Sequence, residues 1–200
     1  MELHEAINRR RMVRSFSTEP VDRTVLDRIL QAALQAPTAG NTGGTAWVVL
    51  NGPEETARYW DATADAQWRE HYSRFDGLSR APVILLAYSS AQAYVERYAE
   101  PDKAAAGLGQ NAADWPVPYW TGDAAFGVLT VLLAVVDAGL GATIAGTYRE
   151  AEVAAALGVP DEWRLFCAVV LGHPDGNDHR SPSLDRPRPQ APDRIRWGRW

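Results

Sequence analysis

The sequence is short of the side chains from which most catalytic centres are made. It has one cysteine and four histidines in 200 residues, and His4, His71, His173 and His179 are scattered along the chain. No spacing among them makes a metal-ligand set. One thiol forms no intrachain disulfide, and Cys167, inside the apolar run 165–171, reads as a small core residue. A Gly-x-Ser-x-Gly elbow and a Walker-type loop are both absent. Positive charge is outweighed, with 20 lysines and arginines against 25 acidic residues. A net charge of −5 argues against nucleic acid as a main partner, because phosphate contacts call for a basic surface. Long hydrophobic runs are missing too. The longest, 124–136, falls below the roughly 17–25 residues of a bilayer span, and Met1–Arg14 is charged throughout, unlike a signal peptide. The expectation is a cytoplasmic protein with no membrane partner.

What is present suffices for one domain with a real core: 46% of residues are hydrophobic and 22% charged. Apolar spacing predicts a short helix over residues 2–10 and a second one capped by Asp22 and closed by Pro37. Short β-rich runs at 47–50, 83–88, 142–145 and 166–171 read as strands, and residues 53–79 and 150–157 as helical. Residues 124–138 are apolar all round, which predicts a helix buried on every side and packed against a partner subunit. Residues 173–200 hold five prolines and almost no aliphatic side chains, so they cannot fold alone and are either disordered or an extended arm laid on something else. The closing Ile195, Trp197 and Trp200 favour an arm that docks on another surface.

Two segments carry chemistry. Arg9, Arg10, Arg11 and Arg14 crowd four guanidinium groups together, either as a solvated basic face or as a cradle for a dianionic phosphomonoester. Arg186 and Arg188 of the arm are positioned in sequence to complete such a cradle. The glycine-rich stretch 36–44 is small and polar, so its backbone can approach a flat ligand, with Thr38 and Asn41 offering hydrogen bonds; an ordinary loop has the same composition. Gly139-x-Gly141 with Gly146 is no dinucleotide fingerprint, since it follows a helix and precedes a strand. Trp115–Trp120, aromatic and proline-stiffened, reads equally as a lid or as packing under a long loop. Binding features without an acid–base kit point to chemistry carried by a cofactor.

Taken in order, Arg10-Arg-Met-Val-Arg-Ser-Phe16, the stretch Ala36–Asn41, the apolar helix running into Gly139–Gly146, Leu171-Gly-His173 and a terminal basic arm resemble the FMN-dependent nitroreductase family. The resemblance implies an α+β fold with a central, mostly antiparallel sheet flanked by helices, in an interlocked homodimer. Residues 1–172 would form the FMN-binding domain and 173–200 an extended arm wrapping the partner. It further implies that Arg10, Arg11 and Arg14, with the backbone of Met12, hold the FMN phosphate, and that Arg186 and Arg188 return to it. Pro37, Thr38, Ala39 and Asn41 would lie along the flavin, often that of the partner, and Ile144, Ala145 and Gly146 would present backbone N–H groups to flavin N5 and O4. NAD(P)H would be the reductant and a nitroaromatic or quinone the acceptor. Specialised dehydrogenation, reductive dehalogenation and non-catalytic flavin binding are the alternatives. The chain departs from the family pattern at Met12, where serine is common, at Ala145, where glutamate is frequent, and at Gly43–Thr45, in place of Gln-Pro-Trp. The family's mid-chain asparagine on the pyrimidine ring has no clear counterpart.

Overall fold

The structure is a computed structural model, and it describes residues 1–72, 74–179, 181–187, 189–190 and 194–200. Strands β1 (Thr45–Asn51), β2 (Val83–Ser89), β3 (Gly141–Ala145) and β4 (Arg164–Gly172) form one sheet in the order β1-β2-β4-β3. Every neighbouring pair is antiparallel. The continuous apolar run of β2 follows from its central place: all seven of its residues are buried. Val83, Leu85 and Ala87 enter the core on one side, while Ile84, Leu86 and Tyr88 enter the core on the other.

The first face is covered by α2 (Arg23–Leu34) and α7 (Tyr119–Asp137), which also pack on each other. Asp22 starts α2 as the cap motif predicts, accepting from the N–H groups of Thr24 (2.8 Å) and Val25 (3.2 Å). The second face is covered by α3 (Pro53–Thr63), α4 (Ala66–His71), α5 (Phe75–Ser79) and α8 (Glu150–Leu157), around Tyr59, Trp60, Leu78 and Val153. The span expected to be helical at 53–79 is therefore interrupted. Asp65 restarts it, accepting from Trp68 N–H at 2.8 Å. α1 (Leu3–Arg9) docks at the C-terminal end of α7, where the Met1 amino group pairs with Asp137 at 2.6 Å. Cys167 is a buried core thiol, and burial pushes its pKa up to about 12.

Three features of the single chain bear on these expectations. α7 is not buried on every side: Ala124, Val128, Val131 and Val135 face the core, but Phe126 and Leu129 are half exposed, at 50% and 49%. Three residues apart on the helix, these two share one face, which the described residues leave half uncovered. The helix also outruns its apolar stretch. At 19 residues and a mean hydropathy of 1.6 it is long and apolar enough to cross a membrane by length and composition, yet its contacts with four strands and α2 are those of a core helix. Lastly, the C-terminal segment meets its own chain at Pro174, which bridges Phe16, and at Asp175, which accepts from Ser15 and Arg80, while Ile195, Trp197 and Trp200 stand exposed on the single chain.

Candidate functional site

Two segments singled out by sequence are built at opposite ends of α7. At its C-terminal end the chain turns through Gly139 into β3, an edge strand. Residues 12 and 13 run alongside: Met12 bridges Ala142 in parallel, and Val13 N–H donates to Ala142 O at 2.9 Å. Close approach requires glycine at the crossing, because a Cβ on Gly141 would stand 2.9 Å from both Val13 and Pro174. The basic segment is thus fastened beside the strand that leads to Ile144, Ala145 and Gly146. In an antiparallel edge strand alternate backbone groups point outward unpaired, and Ile144 and Gly146 are exposed there.

Arg10, Arg11, Met12, Val13 and Arg14 form one wall of a cleft of about 520 Å³, and Pro174, Gly176, Asp178, His179, Ser181, Ser183 and Leu184 form the other. This volume lies within the ~300–1,000 Å³ of small-molecule sites. Among the described residues Arg10, Arg11 and Arg14 pair with no carboxylate. Arg9, the fourth of the cluster, turns away to Glu5. Among its described lining residues the cleft has three arginines, two serines whose hydroxyls meet at 2.8 Å, and one carboxylate, Asp178. That donor set suits a phosphomonoester, whose oxygens accept from all of them. Arg186 ends the 3-10 turn Pro182–Asp185 in an exposed position outside the lining of the cleft, and Arg188 lies outside the described residues.

The second segment, at the N-terminal end of α7, is held by buried groups. Asp123 is 3% exposed, and its Oδ2 accepts from Ala39 N–H and from Tyr94 hydroxyl, both at 2.7 Å. Burial, reinforced by Asp123, raises the Tyr94 pKa far above its ordinary value. Helix α6 (Ala91–Ala99), which was not among the elements expected from sequence, supplies Tyr94, Arg97 and Tyr98 to this scaffold. Arg97 Nε donates to Gly40 O at 3.0 Å while its other nitrogens pair with Asp102 at 2.7 Å. Gly40 (φ +66°) and Asn41 (φ 54°) adopt left-handed backbone, and Gly40 lies against the Tyr98 ring. Pro37 and Asn41 are exposed and Ala39 half-buried. Thr38 Oγ1 accepts from Gly43 N–H at 3.0 Å, which leaves its O–H as a donor. Trp115 is buried, donates from Nε1 to Leu108 O at 2.9 Å, and meets Tyr94, Tyr98, Tyr119 and Trp120 edge-on. Trp115 is therefore packing behind the loop and the first turn of α7, whereas residues 116–119 are exposed.

Asp123 and Asp137 mark the two ends of this arrangement. They are fourteen residues apart on one helix, which separates them by roughly 21 Å at about 1.5 Å per residue.

The profile of the nitroreductase family matches residues 7–173, which takes in the basic segment, the loop, α7, β3 and β4. The chain is 27% identical over 202 residues to an NADH dehydrogenase of Thermus thermophilus, covering 92% of each. It is 26% identical over 189 residues to a 5,6-dimethylbenzimidazole synthase of Rhodospirillum rubrum, covering 88% of this chain and 83% of that one. The structure of the Lactococcus lactis nitroreductase CinD, in complex with nicotinic acid, superposes with a TM-score of 0.78 at 19% identity, covering 99% of this chain and 100% of that one, and so shares the fold. The chain belongs to the nitroreductase family, and with it to the oxidoreductases.

Proposed function

We propose that this protein is an FMN-dependent oxidoreductase that draws reducing equivalents from NAD(P)H, delivers them to an electron-poor small molecule, and works as a homodimer. The observation that carries the reading is the cleft in which Arg10, Arg11 and Arg14 converge beside the outer edge of β3. FMN, when bound, supplies the two-electron chemistry that the side chains lack. Arg10, Arg11 and Arg14, with Ser181 and Ser183, neutralise and hydrogen-bond its phosphate, while Arg186 and Arg188 of the arm are assigned to the same group by family resemblance. Family resemblance assigns the backbone of Ile144, Ala145 and Gly146 to the flavin ring, where outward-pointing N–H groups act as fixed dipoles that stabilise negative charge without reorganising. Alanine at 145 serves because the contact is from backbone.

Pro37, Thr38, Ala39 and Asn41 belong to the ring half of the site. Asp123, which holds this loop, stands roughly 21 Å along α7 from Asp137 at the end nearer the cleft, and a second copy contributes these residues. The half-exposed Phe126 and Leu129 of α7 give that copy an apolar surface to cover, and the arm beyond Leu184 wraps it. Steady-state oxidation of NADH and NADPH with a nitroaromatic acceptor tests the activity. Acceptor-dependent turnover by the FMN-loaded protein is expected; FMN-loaded protein that oxidises neither nucleotide would contradict it.

The similarity to a 5,6-dimethylbenzimidazole synthase favours a second reading, a specialised flavin reaction on the same scaffold. A protein that binds FMN yet turns over no nitroaromatic or quinone would favour it over the first.

A further inference from the structure

Asp175 stands at the joint between the two walls of the basic cleft. Its Oδ2 accepts from Ser15 Oγ at 2.9 Å and from Arg80 Nη2 at 2.8 Å, and its Oδ1 from Asn177 N–H at 2.8 Å. Its own N–H donates to Ser15 O at 3.3 Å. Arg80 extends the joint: Nε donates to Phe16 O at 3.0 Å and Nη2 reaches Ser15 Oγ at 3.2 Å. Ser15 directly follows Arg14, the last arginine of one wall, and Asp175 lies between Pro174 and Gly176 of the other. A charge-assisted fork therefore sets how far the two walls stand apart. The Asn177 N–H, with Ser15 and Arg80, holds the Asp175 carboxyl down to about 2, so the joint stays ionised under ordinary conditions.

We infer that Asp175, with Arg80 and Ser15, is the positioning unit of the cleft: it fixes the spacing between the arginine wall and the serine wall and so governs affinity for a phosphomonoester that it does not touch. This rests on the reading of the cleft as the FMN phosphate site. A joint that serves only folding would affect flavins with and without phosphate alike. A positioning unit instead changes the preference between them.

The test uses the full chain loaded with FMN or with riboflavin, following flavin release on dilution by the return of free-flavin fluorescence. Wild type holding the two flavins equally well overturns the reading of the cleft itself. Given a preference for FMN, Asp175→Asn and Arg80→Ala should each weaken FMN binding by about tenfold and riboflavin by less than about twofold, and the double variant should add little, because residues in one network do not act additively. Arg80→Lys, which keeps the charge but loses the fork, should fall between Arg80→Ala and wild type. Should Asp175→Asn fail to fold, Ser15→Ala removes a single donor and carries the same comparison. A wild-type ratio of FMN to riboflavin affinity in the folded variants overturns the positioning role and leaves the cleft as the phosphate site.

Discussion

The two ends of α7 solve one problem, presenting backbone to a flat ligand, by opposite means. At the N-terminal end the loop Pro37–Gly43 is fixed from behind by buried groups: Asp123, Tyr94 and the ring of Tyr98. At the C-terminal end the basic segment is fixed by partly exposed charges, with Arg80 and Asp175 pinning Ser15 and Phe16. A buried hydrogen-bonded carboxylate is costly to disturb because its partners are left without solvent. An exposed ion pair contributes little to stability, but it can hold a binding geometry. The difference teaches that damage at one end should appear in folding, and damage at the other in ligand preference.

The largest effect should come from Asp123→Ala. It strands the Ala39 N–H and the Tyr94 hydroxyl, at ~1–3 kcal/mol each, so urea unfolding should show a loss of about 2–6 kcal/mol. Unchanged stability would erase the contrast between the ends. At the other end Arg14→Ala removes a charge-assisted bond worth ~1.5–3 kcal/mol, which weakens FMN binding by roughly 10- to 150-fold. Riboflavin affinity and the thermal midpoint should move much less, and equal losses for both flavins would show that Arg14 does not face a phosphate. Gly40→Ala is a smaller perturbation of the buried end. With φ at +66° and a Cβ only 2.7 Å from the Tyr98 ring, it should cost ~1–2 kcal/mol by strain, read as a lowered midpoint in thermal unfolding.

The smallest effect is pH-dependent. The folded pKa of Asp175 lies below its unfolded value, so its contribution to stability is fully present above about pH 4 and is lost as pH falls towards 2. Acid titration of stability in wild type should show this component. Asp175→Asn should lack it, and parallel curves for the two proteins would remove Asp175 from the joint.

How much of this was legible in the sequence depends on how far apart the partners stand along the chain. Arg10, Arg11 and Arg14 announced themselves because like charges crowd one short segment. The Asp22 cap and the strand at 83–89 are local patterns, and both are found in place. Asp123 and Asp175 were invisible, since Asp123 meets Ala39 across 84 residues and Asp175 meets Ser15 across 160. α6 was missed although Ser90 caps it, accepting from Ala93 N–H at 3.3 Å, and Tyr94, Val95 and Tyr98 follow helical spacing. α7 was recognised, but an all-round apolar pattern does not say which face its own chain covers. Ser181 and Ser183 were passed over because a proline-rich stretch gives no sign of folding back onto the first residues of its own chain.

The central claim is that the charged end of α7 exists to hold FMN, and the flavin content of the purified full-length protein tests it most directly. Acid release followed by chromatography should yield about one FMN per chain, with no FAD or riboflavin in comparable amount, as expected for a cleft whose donors match a phosphomonoester. Colourless protein that takes up no added FMN would contradict the account.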